Sequence, residues 1–272
     1  MGMKQRYGDK PRSAVERGPA PGLDRGRARE EWIYGLNPVL EAIKSGRQVK
    51  SVFLSSSRRE GVVGIEREVL SRGIALKKAD QFFFDSRFPK GHQGIAAVVA
   101  PREYADFDEM LDIPSTKNEL PFFLVLDCVE DPRNFGAVLR AADAGGVHGV
   151  VIQSHRSATL VPEAIKASAG AAEHIPVAMV SNIKHAMNSM REMGLLIVGA
   201  EAGMDRTIWD LDLVVPLALV IGSEGKGLRK TVREDCDTLA SLPMRGKVGS
   251  LNVSVAAGIM IYEVIHQRIR GK

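Results

Sequence analysis

From Trp32 onward, short apolar runs alternate with stretches whose apolar residues recur at helical spacing. "GLNPVLEAIKSG" reads as a helix with Asn37 as N-cap, Pro38 at the first helical position and Gly46 just past the end. "KSVFLS", "IALKKA" and "GIAAVVA" read as strands, and "GIEREVLSRG" as a second helix closed by Gly73. This pattern predicts a small α/β domain over residues 31–100. Residues 101–120, "PREYADFDEMLDIPSTKNEL", are acidic, contain two prolines and read as a linker. Six apolar runs follow within residues 121–272: "FFLVLD", "GVVIQS", "PVAMV", "LLIVGA", "LALVIG" and "TLASLP". They are separated by helical patterns, which predicts an α/β fold with a parallel sheet covered on both faces.

Ligands of such sheets bind beyond the carboxyl ends of the strands. Three polar, glycine-containing stretches stand there: "DCVEDPRNFGAVLRAAD", "GSEGKGLRK" and "PMRGKVGSLN". In the first, Asn134 stands at a plausible helix N-cap, with Val138, Leu139 and Ala142 among the buried positions. Arg140 interrupts that apolar run. Arg133, earlier on the same helix, lies on a nearby face, so the pair can meet a phosphate. The second stretch is not a Walker loop, because Lys226 is followed by Gly227 and not by Ser or Thr. It is not a dinucleotide fingerprint either, because Arg229 and Lys230 stand where a third glycine is needed. What is left is a glycine turn that lets backbone approach a ligand, with Glu224 inside it. In the third, Ser250 and Asn252 stand, as candidate caps, at the start of an amphipathic helix that docks through Val253, Ala256, Ala257, Met260, Ile261, Val264 and Ile265.

Composition narrows the class. The chain of 272 residues is 44% hydrophobic and 26% charged, a globular composition with room for one or two domains. Its two cysteines and six histidines show no zinc-ligand spacing, so no metal is expected. No apolar run is long enough to cross a bilayer and the first 30 residues lack a signal-peptide segment, which predicts a cytoplasmic protein with no membrane partner. Residues 1–30 hold eight Lys/Arg against four Asp/Glu and so carry the whole net charge of +4. They read as a disordered basic tail, either a phosphate-binding arm or a solvated end.

"DPRNFGAVLRAADAGGVHGVV", "LALVIGSEGKGLR" and "LPMRGKVGSLNVSVAAGI" together resemble the three ordered motifs of the SpoU (TrmH-like) RNA ribose 2'-O-methyltransferases of the SPOUT class. "YGLNPVLEAI" and "GHQGIAAVV" resemble the amino-terminal, L30e-like substrate-binding domain of the members that act on ribosomal RNA. The resemblance implies a SPOUT-type parallel sheet with a carboxyl-terminal trefoil knot, S-adenosylmethionine as cofactor, and a homodimer with its active sites near the interface. It carries catalytic roles onto Asn134, Arg140, Glu224, Ser250 and Asn252, and cofactor contacts onto Gly222, Leu242 and Leu251.

The implied reaction moves a methyl group from S-adenosylmethionine to a ribose 2'-hydroxyl, with a guanosine of 23S ribosomal RNA as the expected target. Methylation of transfer RNA, and a non-catalytic RNA-binding ribosome-assembly factor, are the alternatives. An NTP-binding enzyme loses ground with the Walker spacing. The family makes the motif-one arginine, here Arg140, the base. A guanidinium gives up its proton very reluctantly, so stabilising a developing alkoxide or clamping the adjacent phosphate is the physically simpler role.

Overall fold

The computed structural model describes residues 30–57 and 62–271; the basic tail, apart from Glu30, lies outside the described residues. The amino-terminal unit runs β1 (Glu31–Tyr34), α1 (Leu36–Lys44), β2 (Val49–Ser55), α2 (Val62–Ser71), β3 (Ala75–Ala79), α3 (Gln81–Arg87) and β4 (Ile95–Val99). Its sheet has the order β1-β4-β2-β3. β4 is antiparallel to both neighbours, and β2 and β3 are parallel. The cap of α1 lies two residues earlier than expected: Gly35 takes that place, Leu36 is the first helical residue and Asn37 is already helical. Pro38 therefore sits within the first turn, where no intrahelical N–H bond is lost. α3 is unexpected from "QFFFDSR", whose aromatics favour a strand. Asp80 settles the matter by accepting the Phe83 N–H as N-cap.

Residues 101–120 differ from a bare linker. They carry α4 (Phe107–Leu111) and α5 (Ile113–Lys117), and Met110 and Leu111 are buried against the second sheet. Asp106 caps α4 by accepting from the Asp108 and Glu109 N–H groups, so the acids that suggest a linker include a helix start.

The second unit continues with β5 (Phe122–Leu126), α6 (Pro132–Ala144), β6 (Gly149–Gln153), α7 (Pro162–Ala167), β7 (Val177–Val180), α8 (Ile183–Glu192), β8 (Leu196–Ala200), β9 (Leu217–Ile221), α9 (Lys230–Arg233), β10 (Thr238–Ala240) and α10 (Val253–Arg270). All six expected strands form, in the order β10-β8-β9-β5-β6-β7, and every pairing among them is parallel. Alternate residues feed opposite layers. Leu217, Leu219 and Ile221 join the core under α6, α7 and α10, while Ala218 and Val220 join the core under α8 and α4. The direction of winding reverses between β5 and β9, the kind of switch point that opens a crevice at the strand ends.

The two units share one apolar cluster, which runs from Ile33, Val39 and Ile95 to Phe135, Val138 and Ile165. A buried ion pair closes the joint: Arg47 lies 2.7 Å from Glu173, whose side chain is fully buried, and also donates to the Ala100 carbonyl.

Close approach of α6 and α7 depends on Gly136. A Cβ there would lie 2.3 Å from the Ala164 carbonyl oxygen and 2.9 Å from the Ser168 nitrogen. Alanine would gain about 1 kcal/mol of helix propensity. The clash is with backbone, which cannot swing aside, and overpacking of this kind costs about 1–3 kcal/mol or more. Gly136→Ala is therefore expected to destabilise the protein in urea unfolding; an equal or higher midpoint at unchanged slope contradicts this account.

Candidate active site

Two clefts open side by side at the carboxyl ends of β5, β8, β9 and β10. The smaller, about 230 Å³, is framed by residues 200–202 after β8, 221–227 after β9, and the segment from Leu242 to the first turns of α10. The larger, about 690 Å³, lies between Cys128, Asn134, Arg156 and Arg229. Ser223, Glu224, Lys226, Gly227 and Val253 line both.

Asn134 does not cap α6, contrary to the sequence reading. Asp131 does, accepting from the Arg133 and Asn134 N–H groups at 2.8 and 2.9 Å, with Pro132 at the first helical position. The Asn134 side chain is thereby released for a tertiary role. Its Nδ2 donates to Glu224 Oε2 at 3.0 Å, and its Oδ1 accepts from Asn252 Nδ2 at 2.9 Å. Asn252 does cap α10, its Oδ1 accepting from the Ser254 and Val255 N–H groups. One residue from each of the three candidate loops thus joins a single hydrogen-bond relay. Ser250 is no cap; it is exposed and lines the smaller cleft together with Gly222, Leu242 and Leu251.

Gly222 ends β9 where a side chain has no room: a Cβ would lie 2.2 Å from the Gly227 carbonyl carbon. The turn is closed by reciprocal 3.0 Å backbone bonds between Ser223 and Gly227. An ion pair missed by the sequence reading anchors its far side. Fully buried Asp127 accepts from Arg229 Nε at 2.6 Å and from the Arg229 backbone N–H at 2.8 Å, and Arg229 also donates to Gln153. The signal lay in "FFLVLD", where a carboxylate directly ends an apolar strand and needs a partner. Glu201 was also missed. It lines the smaller cleft and accepts the Leu228 N–H at 3.4 Å.

Burial, and then the Asp127 carboxylate, push the Cys128 thiol of the larger cleft above its ordinary value, which disfavours the thiolate. Among the described residues, the backbone groups from Leu242 to Leu251 make no hydrogen bonds. They flank the apolar surface of Ile221, Leu242, Leu251, Val253 and Met260. Main-chain donors and acceptors beside an apolar wall suit an adenosine.

Arg140 is not brought into either cleft. It is exposed, makes no hydrogen bond or ion pair among the described residues, and stands six residues beyond Asn134, about 240° further round the helix. Arg133 is exposed as well. No helix among the described residues is long and apolar enough to cross a membrane.

Residues 121–262 match the SpoU rRNA Methylase family, and residues 32–105 match the RNA 2'-O ribose methyltransferase substrate binding family. A Bacillus subtilis (strain 168) protein, YacO, assigned to the TrmH family of tRNA/rRNA methyltransferases, is 42% identical over 241 residues, covering 88% of this chain and 97% of that one. The crystal structure of the SpoU methyltransferase AviRb from Streptomyces viridochromogenes in complex with AdoMet is similar with a TM-score of 0.72 at 27% identity, covering 89% of this chain and 92% of AviRb. The A. aeolicus TrmH/SpoU tRNA modifying enzyme is similar with a TM-score of 0.52 at 26% identity, over 61% of this chain and 83% of its own. On these matches the chain belongs to the SpoU rRNA Methylase family, whose members are S-adenosylmethionine-dependent RNA methyltransferases.

Proposed function

We propose that this protein methylates a ribose 2'-hydroxyl of a guanosine in 23S ribosomal RNA, working as a cytoplasmic homodimer. The observation that carries this reading is the relay from Asn252 through Asn134 to Glu224, which ties three distant loops together at the mouth of the smaller cleft. Support for ribosomal RNA over transfer RNA comes from the amino-terminal unit. Residues 32–105 match the RNA 2'-O ribose methyltransferase substrate binding family, and the likeness to the tRNA modifying enzyme extends over only 61% of the chain. The mixed four-stranded sheet of that unit supports an L30e-like domain. A trefoil knot belongs to the same proposal. After edge strand β10 the chain runs through residues 242–252 past the ends of β8 and β9 to α10, which packs on α6, and this path supports it.

The residues of the smaller cleft fit S-adenosylmethionine. Leu242 and Leu251 would flank its adenine, Gly222 would let the main chain come close, and the backbone groups of residues 242–251, which have no partners among the described residues, would take its polar edges. When bound there, the cofactor supplies an activated methyl on its sulfonium. The larger cleft, with Arg156, Lys226 and Arg229 on its walls, holds the target nucleotide and its phosphates. Asn134 and Asn252 position it, Glu224 fixes the glycine turn and the relay, and Ser250 contacts the substrate.

Arg140 serves a cleft other than its own chain's. Val255, Ile259 and Tyr262 form an exposed apolar stripe on α10 at spacings of four and three residues, preceded by exposed Val248 and Leu251. Such a stripe suits a second copy of the chain. In the dimer the partner subunit's Arg140 completes each site, stabilising negative charge as the ribose hydroxyl loses its proton.

Tritiated-methyl transfer to unmodified ribosomal RNA tests the activity, and mapping 2'-O-methylation in a strain lacking the protein identifies the nucleotide. Arg140→Ala is expected to lower the single-turnover rate about 100-fold or more with saturating RNA and cofactor; a near-normal rate sinks its role. Asn252→Asp keeps the α10 cap, since Asp caps as well as Asn, but removes the donor to Asn134. Stability should stay within about 0.5 kcal/mol of wild type, while methyl transfer falls about tenfold or more. Unchanged methyl transfer would make the residue a cap and nothing else. Ile259→Glu should convert the dimer to a monomer by light scattering and abolish transfer; an unchanged mass refutes this interface.

A further inference from the structure

A third cleft lies away from the other two, where the amino-terminal unit meets α7. It is framed by Trp32 and Tyr34 of β1, Arg87 and Phe88 at the end of α3, and Pro162 and Glu163 at the start of α7. It encloses about 340 Å³, enough for one nucleobase. Its walls are aromatic and continuous with a larger aromatic face. Trp32 lies 5.6 Å from Phe88 and 5.0 Å from Phe53, and Phe53 stacks on Phe83 at 5.1 Å. Cations lie over these rings, Arg87 at 4.3 Å from the centre of Phe83 and Lys77 at 5.2 Å from that of Phe53. Aromatic faces interleaved with cations are how proteins hold unstacked bases beside their phosphates.

Two polar groups in this cleft have no hydrogen-bond partner among the described residues. Tyr34 is 5% exposed, yet its hydroxyl makes no hydrogen bond among the described residues. The Glu163 carboxylate makes neither a hydrogen bond nor an ion pair among them, although it lies close enough to Tyr34 to act on its phenol. Burial first, and then the Glu163 charge, hold that phenol above its ordinary value, with Arg133 acting the other way. The shift favours the protonated hydroxyl, which is a donor. A carboxylate has two oxygens that accept in parallel, and guanine alone among the RNA bases offers two adjacent donors, N1–H and N2–H, with the O6 acceptor beside them.

We propose that this cleft is a second RNA subsite, separate from the methylation clefts, which takes one unpaired guanine against Trp32 and Phe88 with its base edge on Glu163 and Tyr34. The subsite rests on RNA being the substrate, but it makes no use of the relay, of Arg140 or of the cofactor cleft.

Trp32 is a built-in reporter, because the chain has only one other tryptophan, the exposed Trp209. In the Trp209→Phe protein, short uridine oligonucleotides carrying one central guanosine should quench Trp32 emission, and should bind about tenfold more tightly than their adenosine counterparts. Inosine, which lacks the N2 amino group, should fall between. Glu163→Gln should erase the guanosine preference, and Arg87→Ala should weaken both ligands about fivefold or more. Both residues are exposed, so neither change threatens folding. Equal quenching by guanosine and adenosine strands, a preference that survives Glu163→Gln, or no quenching at all overturns the subsite. Parallel methyl transfer on ribosomal RNA separates the two readings: transfer without guanosine preference overturns only the subsite, and preference without transfer overturns only the proposed activity.

Discussion

The first turn of α10 has backbone N–H groups that no residue within the helix can satisfy, and Asn252 Oδ1 takes two of them. That choice fixes which way the Asn252 amide faces. With its oxygen committed to the helix, only its Nδ2 is left to point outward, so it must donate to Asn134 Oδ1. Asn134 then has only its own Nδ2 to offer, and it ends on a group that does nothing but accept, the Glu224 carboxylate. The polarity of the relay is set by a helix end, and a carboxylate is the one side chain that terminates it without a leftover donor. Asp131 makes this possible from the other side, because by capping α6 it frees Asn134 from the duty its position suggests.

The fold supplies the distances. Asn134, Glu224 and Asn252 are 90 and 118 residues apart in sequence, measured from Asn134. They meet because β5 and β9 are neighbours in the sheet and α10 returns to pack on α6. The glycine turn after β9 would otherwise be the least constrained member. It is held at one side by the close packing of Gly222 on Gly227 and at the other by Arg229 on buried Asp127. Losing Arg229 would strand the buried Asp127 carboxylate, at a cost of about 3–5 kcal/mol, which makes the turn a fixed part of the sheet. The Arg47 and Glu173 pair does the same between the two units, so the aromatic cleft on β1 and the relay on α6 keep one relative placement.

Much of this was legible in the sequence, for identifiable reasons. The six parallel strands were, because a strand covered on both faces is apolar throughout and stands out between polar loops. The three loops were, because their glycines and polar residues follow those strands. Asn252 was read correctly as a possible cap, since capping is decided within three residues. Asn134 was misread for the same reason: two adjacent candidates, Asp131 and Asn134, satisfy the local rule, and only the tertiary partner Glu224 tells them apart. β1, α3 and the helices inside residues 101–120 were missed because they are short and draw their stability from docking, as buried Tyr34, Phe84 and Met110 show. Arg140 marks a different limit. The motif names it, yet the fold leaves it exposed and outside both clefts of its own chain, a placement that no local pattern announces.

The segment from Leu242 to Leu251 is the counterpart of the relay in physical character. Its backbone groups have no partners among the described residues and most of its residues are exposed, whereas the very next residue, Asn252, is tied to a helix and to another loop. Few contacts and solvated backbone mean low local stability. Fixing each backbone costs about 1–2 kcal/mol, and a ligand that bonds those groups supplies the offset. Ordering of the segment also fixes Ser250 beside Glu224, since both line the same cleft. A ligand in the smaller cleft would therefore complete a wall of the larger one, because five residues line both clefts and the occupancy of one becomes a condition on the shape of the other.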